Sequence, residues 1–324
     1  MEQNLVPFER IEEIRGRRFL LKVETSASPA DYEKYERLRE TIWRFPEDHM
    51  ASVRNLMCEN FVHEGSSLFL AAYTEAESGG FVEDDRHLAG FAYGFVGVKD
   101  KILAFRSPEN LRFYAQYTGV RPDFEGSGLG VRLKEFQREI LTGRWGVFEV
   151  VCTYDPLTGA NAYRNFHRFR MSVEDYLVST YGAFGGRLNR TDVPTDRFFT
   201  SWDLRRPVEP SSLGGRVLPG EALRILRVET VPVIGRSGLL PLEVVTGVDL
   251  DHPGPACLVQ IPADFYLMLR ETDVDAPDVR QIPVDWRLAT RRAFQALFAQ
   301  GYRVVDFLKI AGDRPESYYL LKKD

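Results

Sequence analysis

The stretch YTGVRPDFEGSGLGVRLKEFQREI, residues 117–140, carries glycines at alternate positions, Gly126, Gly128 and Gly130. An apolar, strand-like run precedes them. A helical pattern follows, with Leu133, Phe136 and Ile140 on one face. A strand that feeds a helix through glycines offers unpaired backbone N–H groups at the positive end of the helix dipole, and that combination attracts anions. Glycine also lets a phosphate approach the backbone closely. The plain alternative is a tight strand-to-helix turn with no ligand. Two common phosphate loops fit poorly. A P-loop places Lys and then Ser or Thr after its last glycine, whereas Val131 and Arg132 stand here. The dinucleotide fingerprint is spaced G-x-G-x-x-G near the start of a βαβ unit. Here the spacing is G-x-G-x-G, behind several antiparallel-looking strands.

Further along, Asn161 and Asn165 are four apart and share one face of a short helix, and Tyr163 and His167 share a neighbouring face. Asp155, Glu149 and Tyr154 are candidates for a general base by location. The adjacent pair Asp196-Arg197 either orients a substrate or braces the substrate slot. His49, His63, His87, His167 and His252 show no ligand spacing with cysteines or paired acids, so no metal is expected. Cys58, Cys152 and Cys257 are far apart and read as reduced, buried thiols.

The chain has 324 residues, 44% of them hydrophobic, enough for a sizeable core. A formal charge of -5 and a pI of about 5.7 give no nucleic-acid footprint. No run approaches the roughly 20 apolar residues of a membrane span, and the opening residues lack the apolar core of a signal peptide. A soluble cytoplasmic protein, with no membrane partner, is the expectation. The 12% aromatic content supplies material for a homodimer interface without demonstrating one.

These residues must be held by the elements around them. RFLLKVETS reads as a first strand. A helix opens at Ser28-Pro29, with Ser28 as cap, and runs to Phe45-Pro46 with Tyr32, Tyr35, Leu38 and Ile42 as its apolar stripe. SSLFLAAYT and HLAGFAYGFVGV are strands joined by the exposed EAESGGFVEDD. LRFYAQYTGV is the strand entering the glycine loop, and VFEVVCTY is an apolar run of the kind buried on both faces. GANAYRNFHRF is a short helix, followed by strands in VEDYLVSTYG and RFFTSWDL. The Pro-, Gly- and Ser-rich LRRPVEPSSLGGRVLPG marks a boundary, giving domains 1–207 and 208–324. Beyond it the pattern is less regular until a helix whose face holds Trp286, Ala289, Ala293, Phe294, Leu297 and Phe298. Gly301 stops that helix, and strands at Tyr302–Leu308 and SYYLLKK follow.

In this order the sequence resembles the GNAT superfamily of acyl-CoA-dependent N-acyltransferases. The superfamily's loop pattern is Arg/Gln-x-x-Gly-x-Gly/Ala. Gly128 and Gly130 match it, while Glu125 stands where the leading basic or amide residue would be. A closer resemblance is to a bacterial subfamily of long chains. It lies in GVRPDFEGSGLGVRLKEFQRE, TYDPLTGANAYRNFHRF, YG with PTDRFFTSWDL, and WRLATRRAFQALFAQGYRVVDFL, and so covers both halves. Members of that group look like amino-acid N-acyltransferases, some associated with pathways that handle N-acetyl or N-succinyl amino acids.

The resemblance implies an α/β (α+β) fold: a central mixed, mostly antiparallel sheet flanked by helices, plus a C-terminal α/β extension that is itself open to a GNAT-like reading. It implies acetyl-CoA or another acyl-CoA such as succinyl-CoA as co-substrate, and a small-molecule amine, an apolar or aromatic free amino acid, as acceptor. Gly119, Val120 and Arg121 would hold the pantetheine arm and polarise the acyl carbonyl through a backbone N–H. The strand around Cys152 to Tyr154 would splay away and open a slot. Gly126, Ser127, Gly128, Leu129 and Gly130 would cradle the pyrophosphate, and Asn161 and Asn165 would reach the pantetheine amides. The tyrosine that many members use as general acid falls at Phe166, which has no proton to donate, so Tyr163 or His167 would substitute. Two other classes stay open: a non-catalytic acyl-CoA-binding module, and a protein-lysine or N-terminal acyltransferase.

Overall fold

A computed structural model describes residues 6–45, 50, 66–207, 222–251, 254–311 and 315–323. The chain packs into two units, Met1–Cys152 with Asp203–Arg205, and Thr153–Trp202 with Arg206–Asp324. The expected division at 207 therefore does not coincide with the packing, which groups Thr153–Trp202 with the C-terminal half. The reason is a shared core: Tyr154, Phe166, Tyr176 and Phe198 cluster with Trp286, Phe294, Leu297 and Tyr319.

The first unit is built on strands β1 (Glu9–Ile14), β2 (Arg17–Val23), β3 (Ser67–Thr74), β4 (Leu88–Val98), β5 (Leu111–Val120) and β6 (Glu149–Tyr154), which lie side by side in that order. The chain leaves the first unit within β6. The first four pairings are antiparallel, and β5 pairs with β6 in parallel. Helix α1 (Glu33–Trp43) follows a 3-10 turn at Pro29–Tyr32, and α2 (Leu129–Ile140) follows the glycine loop. The two helices cover opposite faces. A side chain at Gly119 would strike Ile42 and Trp43 of α1, whereas one at Gly90 would meet Leu129 and Leu133 of α2. Phe91, the partner of Gly119, packs with the α1 side, as the alternation along β4 requires. The expected mixed, mostly antiparallel sheet flanked by helices is present.

Two expectations change here. RFLLKVETS is the second strand, because the charged ERIEEI forms β1, turning at Arg15-Gly16, which has φ of 52° and 77°. Such an edge strand satisfies its charges in solvent, so its sequence reads as polar. Ser28 makes no side-chain cap. Instead, its own N–H donates to Ser26 Oγ at 3.0 Å. The α1 stripe of Tyr32, Tyr35, Leu38 and Ile42 is buried as its spacing requires.

The second unit begins with helix α3 (Gly159–Ala162), which widens into a π turn at Tyr163–Arg168. Strands β7 (Ser172–Leu177) and β8 (Arg197–Asp203) pair antiparallel. A long hairpin, β10 (Leu226–Gly235) and β11 (Gly238–Val248), occupies the stretch expected to be irregular. Its signal is hidden by Pro232 and Pro241, which sit opposite one another in the two strands. A four-stranded sheet runs β13 (Tyr302–Ile310), β14 (Glu316–Lys323), β12 (Ala256–Ile261), β9 (Leu223–Arg224). Helix α4 (Phe265–Glu271) starts at Asp264, whose carboxylate accepts the N–H of Leu267 at 2.9 Å. Helix α5 (Pro277–Ala299) is longer than expected and contains Pro283. Its Trp286, Ala293, Phe294 and Leu297 are fully buried, and Gly301 ends it with φ of 87°. Among the described residues no helix is long and apolar enough to cross a membrane.

Candidate functional site

β5 enters the glycine loop with one register shift against β4: Tyr93 faces Tyr117, yet Gly94 faces Ala115, so Gln116 is the extra residue. A bulge bends its strand and increases local twist. On its other side, β5 pairs with β6 only at Phe113–Val150 and Tyr114–Val151. The register between β5 and β6 does not continue beyond Tyr114. Gly119 and Val120 end the strand opposite Phe91 and Gly90. The missing side chain of Gly119 has its own structural cause in the close approach of α1.

The loop then divides its backbone donors by parity. The N–H of Glu125 goes to Pro122 O, that of Ser127 to Phe124 O, and that of Leu129 to Ser127 Oγ, each at 3.2 Å. The N–H groups of Gly126, Gly128 and Gly130 have no partner among the described residues. Gly128 caps α2 with φ of 97°, and Gly126 has φ of 75°, both in the left-handed region that glycine occupies without strain. Three unsatisfied donors at the start of a 12-residue helix are what an anion would complete.

The guanidinium of Arg121 is tied locally. It holds both oxygens of Asp123 at 2.8 and 3.0 Å, donates to Arg86 O at 2.5 Å, and lies over Phe124 at 4.9 Å. A residue that sequence reasoning missed is Arg15, whose Nη1 donates to Gly126 O at 2.7 Å. It brings a cation to the loop from the β1–β2 turn, where Glu125 offers none. Arg17 lies over the Phe124 ring at 5.4 Å and lines a cavity of about 330 Å3 with Arg18, Phe19, Thr74, Glu75 and Phe124. Neither Arg15 nor Arg17 has a carboxylate partner among the described residues. The only local signal for Arg15 was a turn-forming Arg-Gly before a strand.

The remaining candidates belong to the second unit. Asn165 is 1% exposed, and its Nδ2 has no hydrogen-bond partner among the described residues. A buried amide donor without a partner is costly and suits an acceptor supplied by a ligand. Asn161 accepts from Arg164 at 3.0 Å and donates to Thr158 Oγ1 at 3.3 Å. Phe166 is buried edge-on against Tyr319, with ring centroids 5.7 Å apart, and is a core residue. Tyr163 is exposed and stacks on His167 at 4.6 Å. His167 Nδ1 lies 3.0 Å from Asp306 Oδ1.

The general-base candidates are engaged elsewhere. Burial works against ionisation of Asp155, but Arg287 and Arg197 outweigh it and hold its carboxyl below the usual value. Tyr154 OH lies 3.1 Å from Tyr319 OH, and Glu149 pairs with Lys99. Asp196 is fully buried, takes two hydrogen bonds from Arg291 at 2.7 Å and one from Tyr176 OH at 2.8 Å, and so braces the fold. Its carboxylate raises the Arg291 pKa, mainly through that hydrogen bonding. Burial pushes the Cys257 thiol up to about 12, making it inert. Cys58, His49, His63 and His252 lie outside the described residues, and His87 bonds Asp84 at 2.7 Å.

No protein-family model matches the chain, and no curated protein matches it. Among solved structures it is similar to an acetyltransferase of the GNAT family from Desulfovibrio desulfuricans, with 18% identity over 57% of this chain and 99% of that one, at a TM-score of 0.41. It is similar to Arabidopsis thaliana NAA60 in complex with acetyl-CoA, with 15% identity, coverage of 58% and 99%, and a TM-score of 0.42. It is also similar to a spermidine N-acetyltransferase chimera from Vibrio cholerae and hSSAT, with 10% identity, coverage of 57% and 96%, and a TM-score of 0.37.

Proposed function

We propose that this protein is an acyl-CoA-dependent N-acyltransferase that moves an acetyl or succinyl group onto the amine of a small molecule, a free apolar or aromatic amino acid. The observation that carries the reading is the row of unused N–H groups at Gly126, Gly128 and Gly130, at the start of α2. The diphosphate of a CoA thioester is an anion of the right chemistry for that row. Arg15 and Arg17 add positive charge on the same loop. The end of β5, beyond its short pairing with β6, suits main-chain hydrogen bonds to an extended pantetheine arm, which carries amides. In such a reaction the amine nitrogen attacks the thioester carbonyl directly, the C–N bond forms, the C–S bond breaks, and CoA leaves as a thiol. The amino-acid acceptor rests on the subfamily resemblance of the sequence.

The second reading, a non-catalytic acyl-CoA-binding module, is favoured by one observation: the side chain at the usual acid position, Phe166, is committed to the core. Thiol release from acetyl-CoA or succinyl-CoA, measured with a pool of amino acids, separates the two. Amine-dependent release supports the enzyme. Tight CoA binding by calorimetry with no release for any amine supports the module, and absence of CoA binding removes both.

A further inference from the structure

We propose that the turn between β1 and β2 builds a second phosphate subsite, in which Arg17 and Arg15 hold the phosphate monoester on the ribose 3′ oxygen of the acyl-CoA; this rests on the reading above that places the diphosphate on the glycine loop. The turn and the loop belong to the same unit and meet at three successive points. A Cβ at Gly128 would lie 3.6 Å from Ile14 Cγ2. Arg15 Nη1 donates to Gly126 O at 2.7 Å. The Arg17 guanidinium lies 5.4 Å from the centre of the Phe124 ring. Ile14 and Arg17 are paired directly across the hairpin, so both project from one face of the sheet. Ile14 meets the residue that opens α2, which makes this the face that α2 covers.

Arg17 lines the cavity of about 330 Å3 beside the loop, together with Arg18, Glu75 and Phe124. The carboxylates near it are already matched: Glu75 pairs with Arg18, Asp123 with Arg121, and Glu12 with Arg10 and Arg132. Glu125, on the loop, is exposed, where solvent and salt screen its charge. Arg15 and Arg17 have no carboxylate partner among the described residues. Arg15 spends one N–H on Gly126 O and keeps the rest of its fork of donors for another acceptor. Its φ of 52°, followed by 77° at Gly16, makes a two-residue turn whose first position ordinarily takes asparagine, aspartate or glycine. Arginine in that place brings a cation to the loop at a conformational cost. In a chain of net charge -5, two unmatched guanidinium groups beside one loop are what a second anion would complete.

CoA carries its diphosphate and, across a single ribose, a monoester that is close to doubly charged at neutral pH. With the diphosphate on the N–H groups of Gly126, Gly128 and Gly130, the monoester is one sugar away from the loop, and the neighbouring turn supplies the guanidinium groups. The planar fork of arginine matches two phosphate oxygens at once, which a lone ammonium cannot do. The glycine row reads the diphosphate alone. The arginines add selection for thioesters of complete CoA over those of dephospho-CoA or of pantetheine.

The test is calorimetric titration of the full chain with CoA and with dephospho-CoA, which lacks only the 3′ phosphate. The parent is expected to bind CoA about tenfold to a hundredfold more tightly than dephospho-CoA, the scale of one charge-assisted hydrogen bond. Arg17→Gln is expected to lower that ratio by about tenfold while its affinity for dephospho-CoA stays within about threefold of the parent's. The double variant Arg15→Gln/Arg17→Gln is expected to bring the ratio close to one. Arg17 is exposed, so its variant is expected to keep the parent's thermal midpoint. Equal affinity of the parent for the two ligands overturns the subsite, as does an unchanged ratio in Arg17→Gln. An Arg17→Gln protein that loses both ligands alike also overturns it, because the arginine would then serve the diphosphate or the fold. A parent that binds neither ligand overturns the CoA reading of the loop and the subsite with it, an outcome distinct from binding without discrimination.

Discussion

Arg287 and Asp155 meet through two hydrogen bonds, Nη1 to Oδ1 at 2.8 Å and Nη2 to Oδ2 at 2.5 Å, across 132 positions of sequence. Arg287 is 0% exposed, and Asp155 is buried. Oδ1 also accepts the N–H of Leu157 at 2.8 Å, so the pair fixes the turn that leads into α3. Arg197 completes the neutralisation at 3.5 Å.

Replacing Arg287 with Met strands a buried carboxylate. The expected loss is about 3–5 kcal/mol of folding stability, the range for breaking one side of a buried pair. Urea denaturation of the variant and of Arg287→Met/Asp155→Leu checks it, with part of the loss recovered in the double variant. An equal or larger loss there would mean that the pair's charge is not what matters.

The same pair sets an acid dependence. The Asp155 carboxyl is held below its ordinary 3.8 in the folded chain, despite burial, by Arg287 and Arg197. The unfolded chain therefore binds this proton more readily, and stability from Asp155 is complete above its ordinary value and lost as pH falls through the folded one. The stability gap between the parent and Asp155→Asn should accordingly narrow on acidification from about pH 6 to about pH 3. A gap that stays constant would remove Asp155 from the acid response.

Gly128→Val places a β-branched side chain at φ of 97°, with its Cβ 3.6 Å from Ile14 Cγ2. The backbone strain should cost about 1–2 kcal/mol of stability. The branch also crowds the N–H row, so CoA affinity should fall about tenfold to a hundredfold if even one charge-assisted hydrogen bond is lost. Calorimetric titration measures this, and undiminished affinity in the folded variant would show that CoA does not bind this loop.

A fragment ending at residue 206 keeps Phe198 and Tyr176 but loses Phe294 and Tyr319, against which Phe198 packs at 4.8 and 5.5 Å. The fragment should aggregate or melt well below the full chain, since it exposes half of one core. A monomeric fragment with the parent's thermal midpoint would contradict the shared core.

Much of this architecture was legible in the chain. The stripes on α1, α2 and the second half of α5, and the strand entering the glycine loop, follow from periodicity, because each element must bury one face. The glycine loop was legible because left-handed backbone at Gly126 and Gly128 asks for glycine in place. β1 and the β10–β11 hairpin were not. Charges on one and paired prolines on the other mask the alternation, and the partner strand makes those residues extended.

By itself, then, the sequence determined the local grammar: where the chain coils, where it extends, and where it leaves backbone donors bare. Tertiary structure alone decided which charges meet. Arg15 reaches Gly126, Arg287 clamps Asp155, and Asp306 holds His167, over separations of 111, 132 and 139 residues. No periodicity encodes such pairs, because each is set by packing that brings distant elements together. The same packing commits Phe166 to the core and leaves Asn165, its neighbour in sequence, buried with an unused donor. A one-residue step along a turn decides between those fates, and only the surrounding elements fix its phase.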